Sequence, residues 1–341
     1  MKSAVFYGRH DLRLEDRPVP EPGPEEVLIQ IQACGVCGTD VHIYEGDPCT
    51  AEITSPTILG HEFSGIIAAA GSEVKKFRAG DRVCIDPNRY CGACDFCRNG
   101  DVHLCEHMIG YGTTEHGGFA EYCTVHQSQV YRLGDNTTFE QGAMAEPAAC
   151  CLHGIELCGI RPGHQVVITG GGMAGTLMLQ LAKLAGASRA AVLEPVAEKR
   201  ELAAKLGADL CIDPLHEDAA ARLKEAGFHW IRTVIECAGL PQTMEQAIEL
   251  VGKKGTVMMF GLTKPDAQIA VKPFQFFQKE LTLKSSYINP CTQQRALELI
   301  DSGRLDVRSM VCGTIGLERL EDVLRDPAVR ARGKYIVVPA S

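Results

Sequence analysis

A chain of 341 residues, 45% hydrophobic and 23% charged, is long enough for two globular domains with cores of their own. Its formal net charge of −9, with no run of basic residues, argues against a nucleic acid or an anionic membrane as partner and leaves small molecules. The opening residues Met1 to Tyr7 carry too short an apolar run for a signal peptide, and no stretch reaches the roughly 18 residues of a membrane span, so a cytoplasmic location is expected.

The first 150 residues are rich in Gly and Pro, with short apolar runs such as Val27 to Ile31 and Gly65 to Ala68 between turn signals like Pro22-Gly23-Pro24. This texture predicts a mostly β domain. From about Pro162 apolar strands alternate with helical patterns, the signature of βαβ units and a doubly wound parallel sheet. Strands are expected at Gln165 to Thr169, Arg189 to Leu193, Leu210 to Asp213, Thr233 to Glu236, Thr256 to Gly261 and Leu281 to Ser285. Helices at Thr176 to Ala187 and Ala197 to Leu206 place Leu177, Leu181 and Leu184, then Leu202 and Leu206, at helical spacing. After Pro290 come a helix, Gln293 to Ser302, and a terminal strand, Tyr335 to Val338; the pattern alone does not say which domain owns them.

Gly170-Gly171-Gly172-Met173-Ala174-Gly175 satisfies G-x-G-x-x-G. The motif alone is weak, but here it follows the apolar run Val166 to Thr169 and opens a helix, so its backbone can approach a pyrophosphate at the helix N-terminus. The next strand ends at Glu194, where a carboxylate accepts hydrogen bonds from ribose hydroxyls and repels a 2′-phosphate, which favours NAD over NADP. Lys199 and Arg200 lie close enough in sequence to soften that discrimination, with an exposed helix face as their plain reading and Lys199 carried as a cofactor contact.

Sixteen cysteines in a reducing compartment are metal ligands or small apolar residues before they are disulfides. Cys84, Cys211 and Cys312, each beside apolar neighbours, read as core. Cys91, Cys94, Cys97 and Cys105 instead form C-x2-C-x2-C-x7-C in a turn-rich segment, too regular for independent core residues. A ferredoxin run would close after three residues with Cys-Pro, so tetrahedral zinc is the better match. Four thiolates leave no open position, and the metal is expected to hold a loop rather than react. A second set of metal-type residues, Cys37, His61, Glu62 and Glu146, is not established by spacing.

The motifs Cys37-Gly38-Thr39-Asp40-Val41-His42, Gly60-His61-Glu62, Gly80-Asp81-Arg82-Val83, the cysteine lobe, Gly117-Gly118-Phe119-Ala120-Glu121-Tyr122, Glu146-Pro147 and the glycine motif run in order across nearly the whole chain. In this the sequence resembles the zinc-dependent medium-chain alcohol dehydrogenase superfamily, most closely its polyol (sorbitol) and threonine dehydrogenase branch. The resemblance implies an α/β protein: a GroES-like β-barrel catalytic domain at 1–150 with the zinc lobe at about 88–108, a Rossmann NAD-binding domain at 151–288, and a segment at 289–341 that completes the catalytic domain. It implies two zinc ions per chain and an active site in the cleft between the domains. The catalytic zinc would be held by Cys37 and His61, with Glu62 and Glu146 giving direct or outer contacts; which carboxylate ligates stays open.

Glu146-Pro147, where simple alcohol dehydrogenases place a cysteine, points to a polyol substrate. The implied chemistry is hydride transfer from a secondary alcohol to NAD, the proton leaving through Thr39, the nicotinamide ribose and His42, with Glu62 as a competing base. Where sorbitol dehydrogenases carry Arg-Tyr, this chain reads Ile288-Asn289, so a substrate arginine is missing and Asn289 is a candidate for binding a sugar hydroxyl. The match of Cys37 to Tyr44 with threonine dehydrogenases keeps L-threonine or another amino alcohol as the alternative substrate, and a non-catalytic zinc and nucleotide-binding protein is the remote one. Homotetramers or homodimers, joined through the strand near Leu281 to Ser285, are expected by analogy.

Overall fold

The computed structural model describes residues 1–47 and 53–339. The chain divides into two compact units, one formed by Met1–Ala149 with Asn289–Ser341 and the other by Cys150–Ile288.

The first unit is built around the strand Glu26–Gly35, whose apolar residues Val27, Ile29 and Ile31 are fully buried. It pairs antiparallel with Glu62–Ala70 along one side, with register irregularities between Leu28 and Ile29 and between Ile31 and Ala33. Such bulges bend a strand, as a barrel needs. Along its other side two partners share the length: Tyr122–His126 takes residues Glu26 to Gln30, and Lys334–Val337 takes Cys34 and Gly35. The C-terminal segment is thereby stitched into the first sheet. Its Leu320, Val323, Leu324 and Val337 join Val27, Ile29, Phe63, Ile67 and Phe119 in one core.

The second unit carries a six-stranded parallel sheet in the order Leu210–Ile212, Arg189–Leu193, Gln165–Thr169, Ile231–Glu236, Thr256–Met259, Thr282–Ser285. The central strands read as unbroken apolar runs because both faces are covered: Val166, Val167, Ile168, Val234 and Ile235 are all fully buried. The helix expected from Thr176 starts earlier, at Met173, and ends at Leu184. The periodic leucines mark only its packed face, whereas its first turn grows directly from the glycine loop. At the sheet edge all four residues of Thr282–Ser285 are exposed.

Cys84 is a core residue as expected, but Cys312 is exposed. It lies on Val311–Ile315, the edge strand of the sheet, where alternate residues are exposed, and its thiol donates to the Lys334 carbonyl at 3.3 Å. Cys211 is only partly buried, its thiol donating to the Arg200 carbonyl at 3.3 Å. Among the described residues no helix is long and apolar enough to cross a membrane.

Candidate metal centre and nucleotide site

Cys37 lies two residues beyond the strand Glu26–Gly35 and caps the helix Gly38–Glu45. The cap is reciprocal: the Thr39 N–H donates to Cys37 Sγ at 3.5 Å, and the Cys37 N–H donates to Asp40 Oδ2 at 2.8 Å. This is a capping box with a thiol where Ser or Thr usually stands, so the sulfur is held at a helix N-terminus, where negative charge is favoured. On the neighbouring strand Glu62 is the register partner of Gly35, which brings His61 and Glu62 alongside Cys37. One ligand atom from each of Cys37, His61 and Glu62 lies within 4.8 Å of the other two.

Several features of this cluster call for a cation. Glu62 and Asp40 are fully buried and His61 is 7% exposed. Glu62 Oε1 has no hydrogen-bond partner among the described residues. Burial favours the uncharged His61 ring, yet Asp40 and Cys37 beside it hold its pKa well above the usual value, so the site draws positive charge even into an imidazole. His61 Nδ1 faces Asp40 Oδ1 at 3.5 Å, leaving the other ring nitrogen for a ligand. One thiol, one imidazole and one carboxylate are the donor set of a reactive zinc site, in which a fourth position is left to water or substrate, and these residues fit that metal. Asp40 was not singled out above; the Cys37-x-x-Asp40 spacing of a capping box was the available signal. Glu146 is buried in the first turn of Ala145–Cys158 and is not one of the converging three.

The lobe is a separate cluster. The sulfurs of Cys91, Cys94, Cys97 and Cys105 lie within 4.8 Å of one another. Backbone N–H groups aim at them: Ala93 and Cys94 donate to Cys91 Sγ at 3.4 and 3.3 Å, and Cys91 and His107 donate to Cys105 Sγ at 3.3 and 3.4 Å. The Ala93 and Cys94 donors favour the Cys91 thiolate, whose pKa is pulled down to about 6.

In the second unit the strand Gln165–Thr169 runs into Gly170, which has φ 93°, and Gly172 caps the helix that Met173 and Ala174 begin. A Cβ on Gly175 would collide with the Gly170 carbonyl, so only glycine allows the helix to sit this close to the loop. Glu194 is buried beneath the loop, its Oε2 accepting from the Gly171 N–H at 2.7 Å and its Oε1 from the Val196 N–H at 2.9 Å. Arg200 is engaged through Nη1, which donates to the Glu194 and Pro195 carbonyls, both at 2.7 Å, and lies 3.2 Å from Asp213. Lys199, half-buried, lies in the first turn of Ala197–Lys205.

Comparison with known proteins agrees with this arrangement. The family models for the alcohol dehydrogenase GroES-like domain and for zinc-binding dehydrogenase match residues 23–135 and 174–302. D-arabinitol dehydrogenase 1 of Uromyces fabae is 33% identical over 99% of this chain and 97% of its own length. Sorbitol dehydrogenase of Bacillus subtilis is 31% identical over 95% of this chain and 92% of its own. The crystal structure of a zinc-binding dehydrogenase from Sinorhizobium meliloti 1021, bound to NADP, superposes with a TM-score of 0.95 at 37% identity, covering 99% of both chains. The chain belongs to the zinc-dependent medium-chain alcohol dehydrogenases, on their polyol branch.

In this dehydrogenase Thr39 and His42 sit on the helix that Cys37 caps, and His42 Nδ1 is 3.0 Å from Asp47 Oδ2. Asn289 corrects an expectation. It is 1% exposed, its Oδ1 accepting from Asn88 Nδ2 at 2.7 Å and its Nδ2 donating to Gln293 Oε1 at 3.2 Å, so no end of the amide is left for a sugar hydroxyl. Its neighbour Asp86 is pushed up to about 6 by burial, against the hydrogen bonds from Asn88 and Asn289. Between about pH 4 and 6 the folded protein therefore keeps a proton that the unfolded chain has released, and stability falls as pH rises through that window. Asp86→Asn removes this cost. It is expected to raise the unfolding free energy by about 1–2 kcal/mol at pH 8 and by little near pH 4, read from urea unfolding at the two pH values.

Proposed function

We propose that this dehydrogenase oxidises a secondary alcohol of a polyol or sugar-derived hydroxy compound to the ketone, with NAD as hydride acceptor, a catalytic zinc at Cys37, His61 and Glu62, and a structural zinc in the four-cysteine lobe. The observation that carries the reading is the convergence of a thiol, an imidazole and an unsatisfied buried carboxylate oxygen in a chain that also has a strand–glycine–helix nucleotide loop. Glu62 is taken as the ligating carboxylate because its oxygen joins the other two donors. Glu146 then has the outer role, and the Glu146-Pro147 sequence together with the arabinitol and sorbitol dehydrogenase relatives supports a polyhydroxy substrate.

When bound, zinc supplies a Lewis acid that lowers the alcohol pKa, and the nicotinamide takes the hydride. The chain's part is to hold the reactants and move the proton. Thr39, whose backbone is pinned beside Cys37 Sγ, is the first acceptor of the substrate hydroxyl proton, and His42, oriented by Asp47, passes it on. Gly170, Gly172, Met173, Ala174 and Gly175 cradle the pyrophosphate. NAD is favoured because Glu194 is a buried carboxylate at the ribose end of the loop while Arg200 Nη1 is already engaged, and Lys199 on the same turn is assigned the cofactor contact. A cytoplasmic homotetramer or homodimer fits the exposed edge strand Thr282–Ser285 and the exposed Phe274 and Phe277 in the same unit.

The test is NADH formation by the zinc-loaded protein on pentitols, hexitols, their phosphates, L-threonine and simple diols, repeated with NADP and after chelation. Chelator-sensitive activity on sugar alcohols supports the reading, and activity confined to L-threonine replaces it with the amino-alcohol alternative. Glu194→Gln is expected to shift the NADP-to-NAD ratio of kcat/KM upward by about tenfold or more, since a like charge beside the 2′-phosphate costs several kcal/mol.

A further inference from the structure

We propose that Lys334 is a positioning residue of the metal centre: its ammonium holds Glu62 by one oxygen, so that only the other faces the metal and a coordination position stays open for substrate. The inference rests on the zinc reading above and adds to it a residue on the C-terminal strand.

Lys334 and Glu62 form a buried ion pair, their side chains 3% and 0% exposed. Neither Lys334 Nζ nor Glu62 Oε2 has a hydrogen-bond partner elsewhere among the described residues. A lysine is almost never buried without a charged partner.

The backbone is arranged for this contact. Lys334–Val337 pairs with the end of the central strand at Cys34 and Gly35, and Glu62 pairs with Gly35 from the opposite side. The two side chains meet over Gly35: a Cβ there would lie 2.9 Å from Lys334 Cε and would overlap Glu62 Oε2. Any larger residue at 35 would close the gap through which the lysine reaches the carboxylate.

The charge count gives the pair a purpose. With Cys37 bound as its anion, Cys37, Asp40 and Glu62 would bring three negative charges to the site, and a divalent ion with Lys334 would bring three positive ones. Without the lysine the carboxylate is released to bind the metal through both oxygens. That arrangement holds the ion more firmly, fills the position substrate needs and weakens its pull on the alcohol. Lys334 thus opposes metal affinity in favour of an open site.

The full-length protein is loaded with zinc or cobalt(II), the metal at this centre being the one lost in Cys37→Ser, and affinity is read by competition with a chelating dye. Lys334→Met is expected to bind metal at least about threefold more tightly, to lose about tenfold or more in kcat, and to weaken the cobalt d–d bands as coordination rises. Lys334→Arg should keep the wild-type spectrum. In a Glu62→Gln background, removing Lys334 should again tighten metal binding but leave the spectrum unchanged, because there is no carboxylate to release. The double variant leaves neither member of the pair buried without the other, so where Lys334→Met or Glu62→Gln alone does not fold it is compared with the wild type: cobalt bands of wild-type strength support the proposal and weakened ones overturn it.

A purely structural lysine would make metal affinity and activity fall together, and that result, or an unaltered cobalt spectrum in Lys334→Met, overturns the proposal. A wild-type chain that holds metal only in the cysteine lobe overturns the zinc reading itself and takes the proposal with it.

Discussion

Replacing Cys37 with serine is expected to lower kcat/KM on the best polyol by about a thousandfold or more and to remove one of two metal ions per chain. Serine keeps the cap, since its hydroxyl can accept from the Thr39 N–H as the sulfur does, so the helix Gly38–Glu45 should form unchanged. What is lost is a soft anionic ligand in a set of three converging donors. Two remaining protein ligands hold zinc poorly, and without it nothing else in the cluster can polarise an alcohol. A thousandfold corresponds to about 4 kcal/mol of barrier, within the range one Lewis acid supplies. Metal content by mass spectrometry under native conditions and NADH formation by absorbance are read on the same sample. Retention of both metal ions and of activity would remove Cys37 from the centre.

The second large effect separates the two sites by what they do. Cys94→Ser is expected to lower the melting temperature by roughly 10 °C or more while the folded fraction keeps kcat within about a factor of two. The reason lies in what the lobe lacks. Its helix Asp95–Arg98 buries no residue, and from Cys91 to Leu104 every side chain is exposed or only half-buried, with Phe96 at 40%. A segment with so little apolar burial cannot offset the entropy of being ordered, and the proposed metal would supply that stabilisation. Melting curves with and without chelator, and kcat measured well below the transition, decide it. A proportional loss of kcat at unchanged melting temperature would move the lobe into the chemistry.

The features readable from sequence are those whose physics is local. The lobe's four ligands span fifteen positions, so spacing alone implied that their sulfurs meet, as they do. The nucleotide loop is one strand, one turn and one helix in direct succession, and its glycines announce where backbone must come close. Apolar runs predicted the central strands of the parallel sheet because strands buried on both faces have no alternative composition; the edge strand Thr282–Ser285 is exposed and was marked only by its place in the alternation of strand and helix.

The candidate metal centre is different, because the residues proposed for it come from three stretches of chain and no spacing relates them. Cys37, the His61-Glu62 pair and Lys334 are joined only by strand register, with Gly35 paired to Glu62 on one side and to Ile336 on the other. Tertiary pairing likewise removed Asn289 from the list of substrate contacts, since its amide is spent on Asn88 and Gln293, and it left Cys312 outside the core at a sheet edge. Burial and partners are properties of the folded whole. Sequence could name the residue types able to bind a metal or a sugar, but only the packed strands decided which of them have a free atom facing the right neighbour.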